Sequence, residues 1–267
     1  MRQKYSLITA ALISLMVSPL GAWAGKVLPM SEQGKSHTKA PDSSKIMERT
    51  DDDVIVNPPG LEKRVFIHYK KGSGKSGNGK ADACYTLLGE GVKWRTLPVD
   101  FVVNPSPFED EGSVVNAMAT GAEKWDNETR TKLFGSYSVD YSADWDDTPT
   151  TRDGVNEMSF EELPNANTIA ITVTWGYFSG SRHSREIIEF DILYNLQYQW
   201  GDAEMDPTVM DIENIAVHEI GHGLGLGDLY NGTCAQETMY GYSSNGETEK
   251  RSLNGGDLRG IQKLYGK

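Results

Sequence analysis

Residues 218–228 read HEIGHGLGLGD, and this run constrains the fold more than any other part of the sequence. Residues four apart lie on one face of a helix, so His218 and His222 point two imidazoles at a single position. Gly225 favours the end of a helix, because glycine adopts positive φ without a steric cost. The chain can then turn back and bring Asp228 towards the two histidines. The run therefore predicts a helix, a glycine break and a three-residue metal site.

The residue types in this run are those that hold a catalytic zinc ion. Imidazole nitrogens and carboxylate oxygens are zinc ligands, and a catalytic site uses three protein ligands and one open position. Glu219 follows the first histidine and is rotated from it by about 100° on a helix of 3.6 residues per turn. Its carboxylate would flank the metal and accept a proton from a water that the metal activates. We predict His218, His222 and Asp228 as ligands and Glu219 as the general base.

The spaced run resembles the metzincin zinc peptidases, whose signature is HExxHxxGxxH or, less often, the same run ending in Asp. Residues 237–241 (ETMYG) are similar to the Met-turn that lies beneath the zinc in that family. The Met-Tyr pair is most similar to the matrixin branch, and residues 253–266 resemble its closing helix. The resemblance implies a metzincin-like catalytic domain of the α/β (α+β) class. Such a domain has a twisted mixed sheet packed on helices, a zinc-binding helix, a Met-turn and a C-terminal helix.

The resemblance also implies roles for two residues of the turn and one catalytic zinc ion. Met239 would lie under the metal, and Tyr240 would lie near it in the wall of the substrate pocket. Most matrixins have His where this chain has Asp228, so His183 remains an alternative third ligand. A histidine-rich loop for a second, structural zinc is not visible among the five histidines. We expect no such second zinc site.

The chain outside the signature divides into three parts. Residues 1–24 have a positive start, an apolar run and the small-x-small sequence Ala22-Trp23-Ala24, as a signal peptide does. Residues 25–80 are rich in Ser, Lys, Asp, Gly and Pro, which predicts a flexible propeptide or linker with one short β-like run, Val65 to Tyr69. The predicted peptidase domain comprises residues 81–267. We expect a secreted, extracellular or periplasmic protein.

Periodicity within the predicted domain indicates an alternation of strands and helices. Helices are predicted from Glu109 to about Leu133, from near Asp211 through the histidine run, and from about Asp257 to Tyr265. Strands are predicted at Leu97 to Val103, Tyr137 to Tyr141, Met158 to Phe160, Ile169 to Trp175 and Ile187 to Leu196.

The chain has two cysteines, Cys84 and Cys234. In an exported protein such a pair most simply forms a disulfide. The alternative is that the Cys84 thiolate caps the zinc in a latent precursor, because thiolates bind zinc well. The latency motif that surrounds such a cysteine in the family is absent from Ala83-Cys84-Tyr85, which favours the disulfide.

The net charge of −12 argues against nucleic acid as a partner, because phosphate backbones bind basic surfaces. The same acidity offers oxygen ligands for calcium without requiring it. We predict a secreted, monomeric zinc endopeptidase that binds an extended polypeptide against a strand edge and has no stable membrane association after signal cleavage. The alternatives are a non-catalytic binding or adhesion module on the same scaffold, and a zinc hydrolase of non-protein amides.

Overall fold

The computed structural model describes residues 59–73, 83–148 and 151–267. The predicted signal peptide and most of the predicted linker lie outside these residues. In the described part of the chain, no helix combines the length and the apolar character that crossing a bilayer requires.

A seven-stranded mixed sheet forms the centre of the fold, and it has the strand order β11-β1-β6-β7-β5-β3-β4. Strands β3, β4, β5 and β7 pair in parallel, whereas β6 is antiparallel to both β7 and β1. Two short strand pairs, β2 with β10 and β8 with β9, lie outside it. The bounds are β1 Glu62–Lys70, β2 Thr86–Leu87, β3 Val99–Val103, β4 Phe134–Val139, β5 Glu157–Glu161, β6 Thr168–Tyr177, β7 Glu186–Asn195, β8 Trp200–Gly201, β9 Met210–Asp211, β10 Leu226–Gly227 and β11 Tyr242–Ser243.

In the described residues, three α-helices pack with the sheet: α1 Glu111–Asp126, α2 Ile212–Gly223 and α3 Gly255–Tyr265. Helix α1 ends earlier than the predicted Leu133. The carboxylate of Asp126 accepts hydrogen bonds from the backbone N–H groups of Leu133 and Phe134, and so directs the chain into β4. Short-range polar contacts of this kind are invisible to hydrophobic periodicity. The mixed sheet with its three helices confirms the predicted fold class.

Strand β1 places the start of the folded domain earlier than the predicted boundary at Ala81. Eight of its residues pair with β6, from Glu62 opposite Gly176 to Tyr69 opposite Thr168. The β-like run Val65 to Tyr69 is thus part of the central sheet, and the boundary prediction is wrong. The sequence did not assign this strand to the domain because the residues on both sides of it are polar. Pairing with β6 is a tertiary contact, and it leaves little signal in the local composition.

The core lies between the sheet and the helices. It is rich in aromatic and branched side chains, and its largest fully buried members include Trp125, Phe190 and Tyr194. A smaller cluster on the other face of the sheet joins Ile67 of β1 to Leu193 of β7. The first strand is therefore anchored to the sheet by apolar contact as well as by backbone pairing.

The two cysteines form a disulfide, Cys84–Cys234. The bridge ties the segment before β2 to the loop that follows the metal-site run. It confirms the disulfide prediction, and a Cys84 thiolate is not available to cap a metal in this structure.

Candidate metal centre and active site

Helix α2 presents the two predicted histidine ligands from its last two turns. Asp211 caps the helix by accepting a hydrogen bond from the backbone N–H of Asn214, as the sequence predicts. His218 and His222 are both fully buried. The Nδ1 atom of His218 lies 2.7 Å from the carbonyl oxygen of Thr238, and that of His222 lies 3.0 Å from the carbonyl oxygen of Leu226. A carbonyl only accepts, so each Nδ1 donates, and in the neutral imidazole Nε2 then carries the lone pair.

The predicted helix break is present, and it brings Asp228 back to the histidines. Helix α2 ends at Gly223, and Gly225 adopts φ +104°, a conformation that L side chains rarely adopt. The backbone N–H of Gly225 donates to the carbonyl of His222 at 3.0 Å. The Oδ1 atom of Asp228 lies 3.2 Å from His218 Nε2 and 3.4 Å from His222 Nε2.

The three side chains fit a zinc ion in their chemistry and their protonation. The two Nε2 atoms lie 3.1 Å apart, and a cation between two neutral imidazoles relieves the repulsion of their lone pairs. Although burial alone would lower the pKa of His222, the Asp228 carboxylate raises it. Burial lowers the pKa of His218 to about 4, which keeps that imidazole neutral. Although burial alone would raise the pKa of Asp228, the two imidazoles lower it well below its usual range. Asp228 Oδ1 has no hydrogen-bond partner among the described residues.

The rear of each ligand is fixed by a further group, as zinc ligands commonly are. The backbone carbonyls orient the histidines, and the hydroxyl of Tyr230 donates to Asp228 Oδ2 at 2.9 Å. Tyr230 was not predicted from the sequence, although its position two residues after the third ligand is the signal that could have found it. Tyr240, predicted for the pocket wall, is half-buried and packs on the ring of Tyr242 at 5.7 Å.

Glu219 is fully buried beside the ligands, where the sequence predicts the base. Its Oε2 atom accepts a hydrogen bond from Thr172 Oγ1 at 2.6 Å, and its Oε1 atom lies 3.0 Å from Nδ1 of His68. Burial raises the pKa of Glu219, which favours proton uptake by this carboxylate. Thr172 and His68 come from β6 and β1, and no local pattern around Glu219 predicts either contact.

Met239 lies against helix α2 at Gly221. Its sulfur and the indole of Trp125 occupy the space that a side chain at Gly221 would need, so only glycine fits there. Asp257 holds the turn in place, because its carboxylate accepts hydrogen bonds from the backbone N–H groups of Thr238 and Met239 at 2.7 and 3.1 Å. The sequence assigned Asp257 only to the first turn of α3. Its hydrogen bonds to the Met-turn depend on the tertiary fold, so the sequence did not predict them.

His183, the alternative third ligand, is exposed in the turn between β6 and β7. The residues that could jointly hold an ion include His218, His222 and Asp228 as one group. The structure thus brings Asp228 to the histidines, and His183 does not belong to that group.

A second cluster of ionisable side chains lies at β5, β7 and the loop before β5. Burial raises the pKa of Glu157 to about 8 and that of Glu189 to about 7, and neighbouring carboxylates add to both shifts. Arg152 donates to Glu189 Oε2 at 2.8 Å. The Oε1 atom of Glu189 and the Oδ2 atom of Asp191 are buried and have no hydrogen-bond partner among the described residues.

Comparison with known proteins supports the resemblance. The sequence profile of the matrixin family matches residues 122–266, more than half of the chain. Metalloendoproteinase 4-MMP of Arabidopsis thaliana is 40% identical over 65 residues, which is 24% of this chain and 18% of that protein. The hatching enzyme of Paracentrotus lividus is 29% identical over 128 residues, 43% of this chain and 20% of the enzyme. Human matrilysin is 42% identical over 52 residues, 20% of this chain and 18% of matrilysin.

The chain thus spans about a fifth of the length of these relatives. The stretch that the family profile matches contains helix α2, the glycine break, the Met-turn and helix α3. These are the elements that position His218, His222 and Asp228. The chain belongs to the matrixin family, a family of zinc metallopeptidases.

Proposed function

We propose that the protein is an exported zinc endopeptidase that uses Glu219 as its general base. The observation that carries the proposal is the convergence of two imidazole lone pairs and one carboxylate oxygen beside a buried second carboxylate. A binding module on the same scaffold has no need for that second carboxylate. The disulfide agrees with an oxidising compartment, because such bridges persist outside the cytosol.

His218, His222 and Asp228 would hold the zinc. When bound, zinc supplies a Lewis acid that polarises the scissile carbonyl and makes a water molecule more acidic. Glu219 accepts the water proton on one carboxylate oxygen and delivers it to the amine nitrogen that leaves. Thr172 fixes Oε2 by its hydrogen bond, so Oε1 is the oxygen that exchanges the proton.

The substrate would lie extended along β6, the strand that passes beside Glu219 through Thr172, and would take the place that β1 has in this structure. The opposite wall would be β11, which follows the Met-turn. An extended peptide between two strands satisfies its backbone groups by pairing with both. The partner is therefore a polypeptide, bound by its backbone and selected by the side chains that enter the pocket.

Metal exchange tests the proposal directly. The purified chain is stripped with a chelator, reloaded with one equivalent of zinc, and assayed for casein cleavage over a long incubation, beside a panel of non-protein amides. We expect casein cleavage to disappear on stripping and to return with zinc. A zinc-loaded protein that cleaves only non-protein amides would contradict the endopeptidase proposal. One that binds zinc at one per chain and cleaves neither class would favour the binding module.

We also propose that the buried acidic cluster binds calcium. Carboxylates of Asp146, Asp153, Glu157, Glu189 and Asp191 contribute to this cluster. Asp191 is fully buried, and its Oδ2 atom has no partner in the described part of the chain. Hard oxygen donors in this number match the coordination that calcium prefers.

Thermal unfolding measures this site without reference to activity. In zinc-loaded protein freed of other cations, calcium at about 100 times its dissociation constant stabilises by about 2.7 kcal/mol. This corresponds to a Tm increase of roughly 5–10 °C for a domain of this size. Asp191→Asn removes one ligand and one repelling charge, so it should abolish the calcium response without lowering the calcium-free Tm. An Asp206→Asn control, at an exposed position, should keep the response. An equal response in Asp191→Asn would contradict the site.

A further inference from the structure

A cavity of about 290 Å³ lies beside helix α3, and none of the residues that line it belongs to the candidate metal centre. Among the described residues that line the cavity, Glu90 is the only carboxylate. The chain as a whole has 38 acidic residues and 26 basic ones, so a concentration of positive charge is unexpected on its surface. Five basic residues nevertheless line the cavity: Lys93, Arg95, Arg182, His183 and Lys263.

The segment before β3 turns two of these cations towards the cavity by simple alternation. Val92 and Trp94 are buried in the core. Alternate residues of an extended segment face opposite sides, so Lys93 and Arg95 point outward. The indole nitrogen of Trp94 donates to the carbonyl of Gly223 at 2.8 Å. The core thus holds the segment against the end of helix α2, and the two cations above it have fixed positions.

Backbone carbonyls hold the Arg95 side chain in the cavity wall. Its guanidinium donates to the carbonyl oxygens of Arg185 at 2.9 Å and Gly91 at 3.1 Å, and also to that of Arg182. A planar guanidinium with several fixed donors is already oriented for a further acceptor. Because a carbonyl oxygen carries no net charge, these contacts position the guanidinium without neutralising it.

The two lysines of the cavity also lack a counter-ion. Lys93 Nζ donates to the carbonyl of Leu264 at 2.6 Å, and Lys263 Nζ donates to the hydroxyl of Tyr85 at 3.1 Å. In the part of the chain that the structure describes, neither lysine forms an ion pair with a carboxylate, and Arg95 forms none either. Burial and the nearby charge of Arg95 lower the pKa of Lys93. An anion in the cavity would relieve this repulsion.

Arg182 is the one cation of the cavity wall that pairs with a carboxylate. Its Nη2 atom lies 3.2 Å from Glu90 Oε1, and both side chains are more than half exposed. Exposed ion pairs of this kind contribute little and exchange readily. Glu90 is therefore a weak internal competitor for any anion that enters the cavity.

We propose that this cavity binds a phosphate or sulfate group, either free or at the end of a small molecule. Several cations around one cavity match an oxyanion with two charges better than they match a single carboxylate. Guanidinium groups bind the oxygens of such anions in pairs, and lysines add point charges. The volume is at the lower end of the range for small-molecule sites, about 300–1,000 Å³, so it suits one anionic group with a small substituent. The proposal does not depend on the peptidase function.

Calorimetric titration with inorganic phosphate tests the site in the full, zinc-loaded chain, in calcium-free buffer at fixed ionic strength. We expect one phosphate to bind in the cavity of each chain. The double variant Arg182→Glu/Lys263→Glu changes two exposed side chains from attraction to repulsion, so it should weaken phosphate binding by about tenfold or more. Glu90→Gln should tighten binding by about threefold, because it frees Arg182 from the competing carboxylate.

A second double variant separates the cavity from the general charge of the protein. Arg130→Glu/Lys132→Glu makes the same change in net charge at two exposed residues that do not line the cavity. It should keep the phosphate affinity within about twofold of the parent, because salt screens charges at a distance. Equal affinity in Arg182→Glu/Lys263→Glu and the parent would overturn the proposal, since the phosphate would then be bound elsewhere, for example at the zinc.

Competing anions identify the chemical class and its source. Inorganic sulfate should displace phosphate, whereas acetate at the same ionic strength should not. Phenyl phosphate that binds more than about tenfold more tightly than inorganic phosphate would identify an ester as the ligand, and equal affinity would identify the free anion. Displacement by acetate as efficient as displacement by sulfate would contradict the assignment to a doubly charged oxyanion.

Discussion

Glu219→Gln is expected to lower kcat for casein cleavage by about a hundredfold to ten-thousandfold, the range that removal of a general base produces. The amide keeps the size of the side chain and can still accept the hydrogen bond from Thr172, which the carboxylate accepts at 2.6 Å. It cannot take up a proton. The measurement is a progress curve of casein cleavage by the zinc-loaded variant beside the zinc-loaded parent.

Zinc content separates this chemical role from a structural one. Glu219 is not among the three side chains that converge on the proposed metal position, so Glu219→Gln and Glu219→Ala should both retain one zinc per chain. Thr172→Val is the companion variant, because it removes the hydrogen bond to Oε2 and leaves the carboxylate in place. We expect a smaller loss in kcat from it, with little change in zinc content. If Glu219→Gln cleaves casein at more than about a tenth of the parent rate, the role of the base is refuted.

Asp228→Ala is expected to weaken zinc binding by more than about a hundredfold. Removing a group that only hydrogen-bonds to a metal ligand lowers the affinity by up to about a hundredfold, and removing a ligand itself should cost more. It removes the carboxylate oxygen that lies 3.2 Å and 3.4 Å from the two histidine Nε2 atoms. It also leaves those two lone pairs facing each other with one ligand fewer. Competition for zinc with a chromophoric chelator measures the affinity without an activity assay.

Two further variants decide between the candidate third ligands. Asp228→His places an imidazole at this position, where His is the commoner residue of the signature. Its zinc affinity should therefore be close to that of the parent and well above that of Asp228→Ala. His183→Ala should leave the affinity unchanged, because His183 is exposed in the turn between β6 and β7. A loss of zinc from His183→Ala, together with normal affinity in Asp228→Ala, would reverse the assignment.

Strand β1 connects the candidate metal site to the central sheet. Helix α2, the glycine break and the Met-turn carry the predicted ligands and Met239. Strand β1 pairs with both β6 and β11 and brings His68 to Glu219.

The convergence of the predicted ligands could be predicted because these residues are close in sequence and their geometry is local. A helix sets the relation between His218, Glu219 and His222, and a glycine with positive φ sets the return to Asp228. The ends of helix α1 and the boundary of the domain were less accurate, because they depend on side-chain hydrogen bonds and on strand pairing.

The sequence by itself thus determined the fold class and the pairing of the only two cysteines, and it predicted the candidate ligands and the candidate base. Only the tertiary structure decided what lies against them. His68 reaches Glu219 across 151 positions, and Thr172 does so across 47. Contacts at such separations follow from the register of β1 against β6, and no local periodicity encodes that register. Which side chains lie against Glu219 is therefore a property of strand pairing, not of the signature.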